Sequence, residues 1–388
     1  MIQVFPLYEM ENWNWLKSIS PHSECEIVLH PCALSPIGKL GKGDVWVITK
    51  EAQRKGYKVT LAWDCLPTNS DFANQLADFE DLQPYIFNAI RVCDYGVLKY
   101  VAPSYPTQLI LKSGHHNLRS VQTLVEKYES NLRRLVFSNE VPIKRLEEWN
   151  QTLPLEKELL VLGSLNLFHS PRRLLSAGLH LEDSRPETSE FLTGTGYSEE
   201  DRRHFQFTET PLGTTMFLDK LLFLMDDMDR LVSAGFTHLR VNFHAVAVEC
   251  NQDLLGKVLH EPFNRELVQQ LRQSFRVPLT RGFSRANKTD RQFDKLSNAA
   301  MKRHQPHSIG TILESAKNRY LVIEPKVELE TNRHYCFKTP DKREVVKPFA
   351  WFRKPFDKPC DRTSSSGIWI ASPIPGLCSG TLILDHPP

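Results

Sequence analysis

Residues 58–94, KVTLAWDCLPTNSDFANQLADFEDLQPYIFNAIRVCD, read as strand, helix, strand. Residues 58–63 and 89–94 are short runs of nearly continuous hydrophobicity, as strands of a parallel sheet are when both faces are covered. Between them, residues 71–82 carry apolar residues at three- and four-residue spacing, which predicts an amphipathic helix.

The same alternation runs outward in both directions. Further strands are predicted at residues 2–6, 26–30, 108–113, 134–138, 159–163 and 239–243. Helices are predicted at 44–55, 117–128, 143–149 and 217–234. The last has a broad apolar face including Leu221, Leu224, Met225 and Met228, and Gly235 stops it. Residues 182–210 break the alternation; they are polar and predict a long loop. About eight strand–helix repeats point to an α/β fold, a TIM-type (β/α)8 barrel. An open doubly wound sheet competes, but no strand is followed by G-x-G-x-x-G or a P-loop.

After about residue 305 the pattern changes. Strands are predicted at 308–313, 319–324, 334–338, 344–352, 367–371 and 380–384, with turns such as Thr339-Pro340-Asp341 and no clear helix. A small C-terminal β-barrel over residues 305–388 is expected, following a barrel domain over 1–304.

The 388 residues are 41% hydrophobic and 24% charged, with a net charge of +2, ordinary for a globular chain. The N-terminus lacks the basic, apolar and small-residue pattern of a signal peptide, and no apolar run is long enough to span a bilayer. A cytoplasmic location is the expectation. The eight cysteines (25, 32, 65, 93, 250, 336, 360 and 378) include no C-x-x-C pair and are expected to stay reduced.

The segment 158–176, ELLVLGSLNLFHSPRRLLS, resembles the signature of the collagenase-like peptidase family U32. Glu158, Gly163, Ser164, Leu165, Leu175 and Ser176 stand at matching positions. Asn166 and Arg173 stand where the family places cysteines. Residues 93–98 (CDYGVL), 135–140 (LVFSNE) and 231–241 resemble further family motifs in the same order, although Asn242-Phe243-His244 replaces a Glu-Gly-Arg. The resemblance implies a TIM-type barrel. It also implies either peptidase activity, after which the family is named, or the hydroxylation of transfer-RNA or ribosomal-RNA bases, or quinone hydroxylation, for which a [4Fe–4S] cluster on four cysteines is typical.

Such a cluster needs thiolates. With Asn166 and Arg173 at the signature positions, no cofactor is expected and a [4Fe–4S] cluster is disfavoured, since arginine cannot ligate iron. An alternative set would draw on Cys32, Cys65 and Cys93, on or near successive strands. No metal site is predicted.

Barrel enzymes carry their functional groups at strand C-termini. That rule, with the resemblance, nominates Asp94, Glu140, Ser170 and His244 as catalytic. It nominates His30, Asp64, Lys112, His116, Asn166, Arg173 and Ser176 as substrate-binding. Each is equally readable as a loop anchor or solvated rim residue. A peptidase mechanism has no G-x-S-x-G or H-E-x-x-H to rest on, and neighbouring His115 and His116 cannot face one ligand. His304 and His307 fall in a polar linker.

Residues 272–303 hold nine Lys or Arg against two Asp, with Phe275, Phe283 and Phe293 among them. Residues 342–362 are a second basic–aromatic stretch. Both suit a surface that tracks transfer-RNA or ribosomal-RNA backbone and stacks bases; both also suit a solvated face beside core aromatics. Three readings follow: an RNA-modifying enzyme or cluster-less derivative of one, an inactive RNA- or protein-binding member, and a peptidase.

Overall fold

The computed structural model describes residues 1–19, 25–112, 118–178, 192–198, 203–242, 250–282, 284, 308–316, 318–339, 343–354 and 357–385. Two compact units divide the chain: residues 1–114 with 124–285, and residues 115–123 with 286–388.

In the first unit every apolar run is a strand: β1 (Ile2–Leu7), β2 (Cys25–Leu29), β3 (Lys58–Trp63), β4 (Ala89–Val92), β5 (Thr107–Ile110), β6 (Leu132–Val136) and the start of β7 (Glu156–Ser170). Then come β8 (Leu192–Ser198), β9 (Arg203–Thr210), β10 (Gly213–Phe223), β11 (His238–Val241) and β12 (Leu279–Thr280). Strands β1 to β7 pair in parallel and in sequence, and β11 pairs in parallel with both β7 and β1. The result is a closed eight-stranded TIM-type barrel. Closure leaves no edge, so each backbone donor and acceptor of the ring can be met within it.

The helices are α1 (Met10–Ile19), α2 (Lys42–Arg54), α3 (Phe72–Asp81), α4 (Tyr95–Val101), α5 (Leu118–Lys127), α6 (Ile143–Asn150), α7 (Leu174–Gly178), α8 (Met228–Ser233), α9 (Gln252–His260) and α10 (Arg265–Ser274). Helix α2 buries Val45, Ile48, Thr49 and Ala52, one stripe at helical spacing. The Asp44 carboxylate accepts the Gly41 N–H at its start. Asn251 and Asn264 cap α9 and α10 by accepting the N–H of Leu254 and Leu267. Among the described residues no helix is long and apolar enough to cross a membrane.

Two expectations change. The helix expected at 217–234 is instead β10, a 3₁₀ turn at Met225–Asp227 and the short α8. Leu221, Leu222 and Phe223 lie opposite Ser164, Gly163 and Leu162 of β7. An apolar run this dense fits a buried strand as well as a helix, and the long partner strand decides it. Gly235 (φ +89°) does end α8. The polar loop expected at 182–210 holds, in its described part, the antiparallel pair β8–β9, with β9 also paired to β10. The rest of that stretch lies outside the described residues.

The second unit contains β13 (Ser308–Ala316), β14 (Tyr320–Pro325), β15 (His334–Lys338), β16 (Glu344–Pro348), β17 (Phe352–Arg353), β18 (Trp369–Ala371) and β19 (Leu382–Asp385). They form one antiparallel half-barrel in the order β16-β15-β19-β13-β14-β18-β17. Its core includes Leu321, Ile323, Tyr335, Phe337, Phe349, Phe352 and Trp369. The predicted strand at 344–352 is broken after Pro348, and Pro340 and Asp341 lie outside the described residues.

Candidate active site at the barrel mouth

Side chains alternate along a strand, so every second residue of each barrel strand points inward. Several of those inward residues are charged. Arg91 of β4 donates to both Glu158 oxygens of β7 at 2.9 and 2.6 Å, and to Gln108 of β5. Arg134 of β6 donates to Glu26 of β2 at 2.8 Å, to Glu158 at 3.2 Å and to Glu156 at 2.9 Å. Thr60 and Gln108 donate to Glu26 as well. These bonds span the barrel, which only inward-facing side chains can do.

Burial opposes the charge on Glu26, but Arg134 and Arg91 outweigh it and hold its carboxyl down to about 2. Glu158 is likewise held below the usual carboxylate range: burial opposes this, and Arg91, Arg240 and Arg134 prevail. Burial, aided by Arg134, lowers His238 to about 4, so it sits neutral beside the Arg134 guanidinium, 2.7 Å away.

Four residues beyond Glu26, Thr60 and Gln108 come the groups of the mouth: His30, Asp64 and Lys112. His30 Nδ1 lies 2.9 Å from Ser35 Oγ and 3.6 Å from Asp64 Oδ2. Its ring packs against Tyr8 with centroids 4.5 Å apart. Among the described residues, Nε2 of His30 and Oδ1 of Asp64 are buried without a hydrogen-bond partner. Burial pushes the Asp64 carboxyl up, but His30, Lys112 and Ser35 more than offset it, and Asp64 is held well below its ordinary range. The Lys112 ammonium donates to the Asp64 carbonyl at 3.2 Å. Burial disfavours its charge, yet Cys93 and Asp64 raise its pKa.

These groups line a cavity of about 520 Å³. It brings together five of the nominated residues: His30, Asp64, Lys112, Glu140 and Asn166. The others sit elsewhere. Asp94 caps α4, accepting the Val97 N–H at 2.9 Å. Ser170 accepts the Arg172 N–H where β7 ends. Ser176 donates to the buried Glu209 carboxylate, which also accepts the Leu175 N–H, and Arg173 lies 3.5 Å from that carboxylate. His116 and His244 lie outside the described residues, as do His115, His304, His307, Phe283 and Phe293.

The cavity also holds residues that strand-end reasoning passed over: Tyr8, Arg91, Arg240 and His169. Charged residues inside apolar runs, each one residue before its strand's last, were the available signal for the arginines. His169 Nδ1 lies 3.1 Å from Thr215 Oγ1, and burial with the nearby Lys112 lowers its pKa. It comes from the extension of β7 past the barrel rim, a feature that only pairing with β10 creates.

The residues present do not fit a [4Fe–4S] cluster. Asn166 is exposed on the cavity wall and Arg173 faces a carboxylate. Cys65 and Cys93 are buried nearby; burial pushes Cys93 up to about 11 and Cys65 higher still, so both are thiols rather than thiolates. Among the described residues no three His, Cys, Asp or Glu side chains stand where they could share a metal.

In the second basic stretch, Phe349 and Phe352 are fully buried in the half-barrel core and cannot stack bases. Lys347, Lys354 and Lys358 are exposed, and Arg353 lies over the half-buried Trp351 ring at 5.8 Å. Residues 285–303 of the first stretch lie outside the described residues.

The model of peptidase family U32 matches residues 36–294, more than half of the chain. Among solved structures, the U32 peptidase Mk0906 is similar at 10% identity and a TM-score of 0.34, covering 42% of this chain and 69% of that one. The YdjI aldolase of Escherichia coli K12 gives 10% and 0.33, covering 70% and 86%. A chitinase of Chromobacterium violaceum gives 8% and 0.36, covering 68% and 99%. No curated protein sequence matches.

Proposed function

Because the chain belongs to peptidase family U32, we propose that it is a cluster-less derivative of the family's RNA-modifying enzymes, which takes a base of transfer or ribosomal RNA into the barrel mouth and acts on it by proton transfer. One observation carries the reading: His30 is oriented through Nδ1 by Ser35 and Asp64, and its buried Nε2 is left without a partner in the cavity wall. A ring nitrogen held this way is placed to accept or return a proton. The exposed ring of Phe168 in the same wall suits a planar base. Exposed lysines such as Lys347 and Lys354 on the half-barrel unit suit a phosphate backbone.

Peptide hydrolysis finds less support. In a Ser-His-Asp relay the serine and the carboxylate bind opposite ring nitrogens. Here Ser35 and Asp64 share Nδ1, and Ser35 is fully buried. The signature replacements Asn166 and Arg173 favour a second reading, an RNA binder without catalysis.

The test compares RNA nucleosides by mass spectrometry from cells lacking the chain and cells complemented with wild type, H30Q or D64N. A nucleoside lost on deletion, restored by wild type and not by either variant is expected. An unchanged nucleoside profile overturns the catalytic reading, and transfer-RNA binding that weakens with salt would then retain the binding one.

A further inference from the structure

We infer that the floor of the mouth cavity is a subsite for one anionic group, a carboxylate or a phosphate monoester, received by Arg240 beside His30. The inference rests on the reading of this cavity as the working site and names a group its substrate carries.

Arg240 lines the cavity from β11, with its side chain 20% exposed. Its charge partner is Glu158, at 3.7 Å, too far for a hydrogen bond. Glu158 is already engaged: Arg91 takes both of its oxygens and Arg134 one of them. Among the described residues the Arg240 guanidinium therefore makes no hydrogen bond, although it carries five N–H donors. Arg91 and Arg134, by contrast, are each bonded to carboxylates at 3.2 Å or less. The network satisfies two guanidiniums and leaves the third beside open space.

His30 is the second observation. It is 5% exposed, its Nε2 is unpartnered, and it lines the same cavity. Tyr8 connects the two: its ring packs on His30, and its hydroxyl lies within electrostatic reach of both Arg240 and Asp64. An anion on Arg240 would meet the planar fork that suits bidentate oxygens, in the cavity that His30 Nε2 also lines. Asp64 and Glu140 in the same wall limit the site to a single anionic group and disfavour a polyphosphate.

Titration calorimetry of the full chain with inorganic phosphate and with benzoate tests this, using wild type, R240Q and R240K. At least one probe is expected to bind wild type, with about tenfold or greater loss in R240Q. Phosphate alone would assign the subsite to a nucleotide phosphate, and benzoate alone to a free carboxylic acid. Glu158 keeps Arg91 and Arg134 in R240Q, so its melting temperature is expected to hold. R240K keeps the charge but not the fork; weakened binding in it supports the subsite even if R240Q folds poorly. Binding of neither probe, or equal binding by wild type and R240K, overturns the proposal. Small-anion binding without RNA binding would retire the RNA reading and leave the subsite standing; the reverse result would do the opposite.

Discussion

Inside the barrel the strands enclose Arg91, Arg134, Glu26 and Glu158; inside the half-barrel they enclose Tyr335, Phe337, Phe349 and Phe352. Both interiors are buried, but they are held together differently. The half-barrel rings contribute through burial, roughly 25 cal/mol per Å² of apolar surface, and each ring contributes largely by itself. The barrel charges cost desolvation energy one by one and are tolerated only as a set, each guanidinium matched to carboxylates from other strands. An apolar core fixes a fold. A charged interior also fixes where polar groups point, and the barrel's mouth cavity, lined in part by Arg91, opens beside it.

The sharpest way to break this contrast is E158A. It removes the carboxylate shared by Arg91, Arg134 and Arg240 and leaves buried positive charge uncompensated. A loss of about 3–5 kcal/mol is expected in the barrel unit's calorimetric transition. In the half-barrel, F349A removes a ring packed on Tyr335, Phe337 and Phe352. A loss of about 3–4 kcal/mol is expected there. Unlike the E158A loss, it should be nearly independent of salt and pH.

Acid then separates the two regions. His238 has a folded-state pKa of about 4 against an ordinary histidine value of 6.5. The unfolded chain therefore binds this proton first as pH falls. The stability that neutral His238 provides is complete above pH 6.5 and is lost between 6.5 and 4, by roughly 3 kcal/mol. H238Q is expected to flatten that part of the barrel's pH profile in chemical denaturation, and an unchanged slope would count against a neutral His238. The smallest effect belongs to the surface: K42A, which breaks the exposed pair with Asp81, is expected to change stability by no more than about 0.5 kcal/mol.

Much of this molecule was legible beforehand for a simple reason. Parallel strands covered on both faces must be apolar almost throughout, so all eight barrel strands stood out in the sequence. His30, Asp64 and Lys112 follow directly from those runs, because a strand's end marks the barrel mouth. The same local reasoning misplaced 217–234, where Leu221, Leu222 and Phe223 satisfy helical spacing and strand pairing alike. It did not reveal that Asp94 caps a helix, that Ser170 accepts the Arg172 N–H where β7 ends, or that Arg173 and Ser176 gather around Glu209.

The sequence alone determined the closed barrel and the change to antiparallel strands after it. These depend on residue type and period, which are local properties. Only the tertiary structure decided that Arg91, Arg134, Glu26 and Glu158 form one network, that β7 runs on past the rim to bring His169 to the cavity, and that Arg240 makes no hydrogen bond among the described residues. Each depends on distances between residues far apart in the chain, and strand register sets those distances.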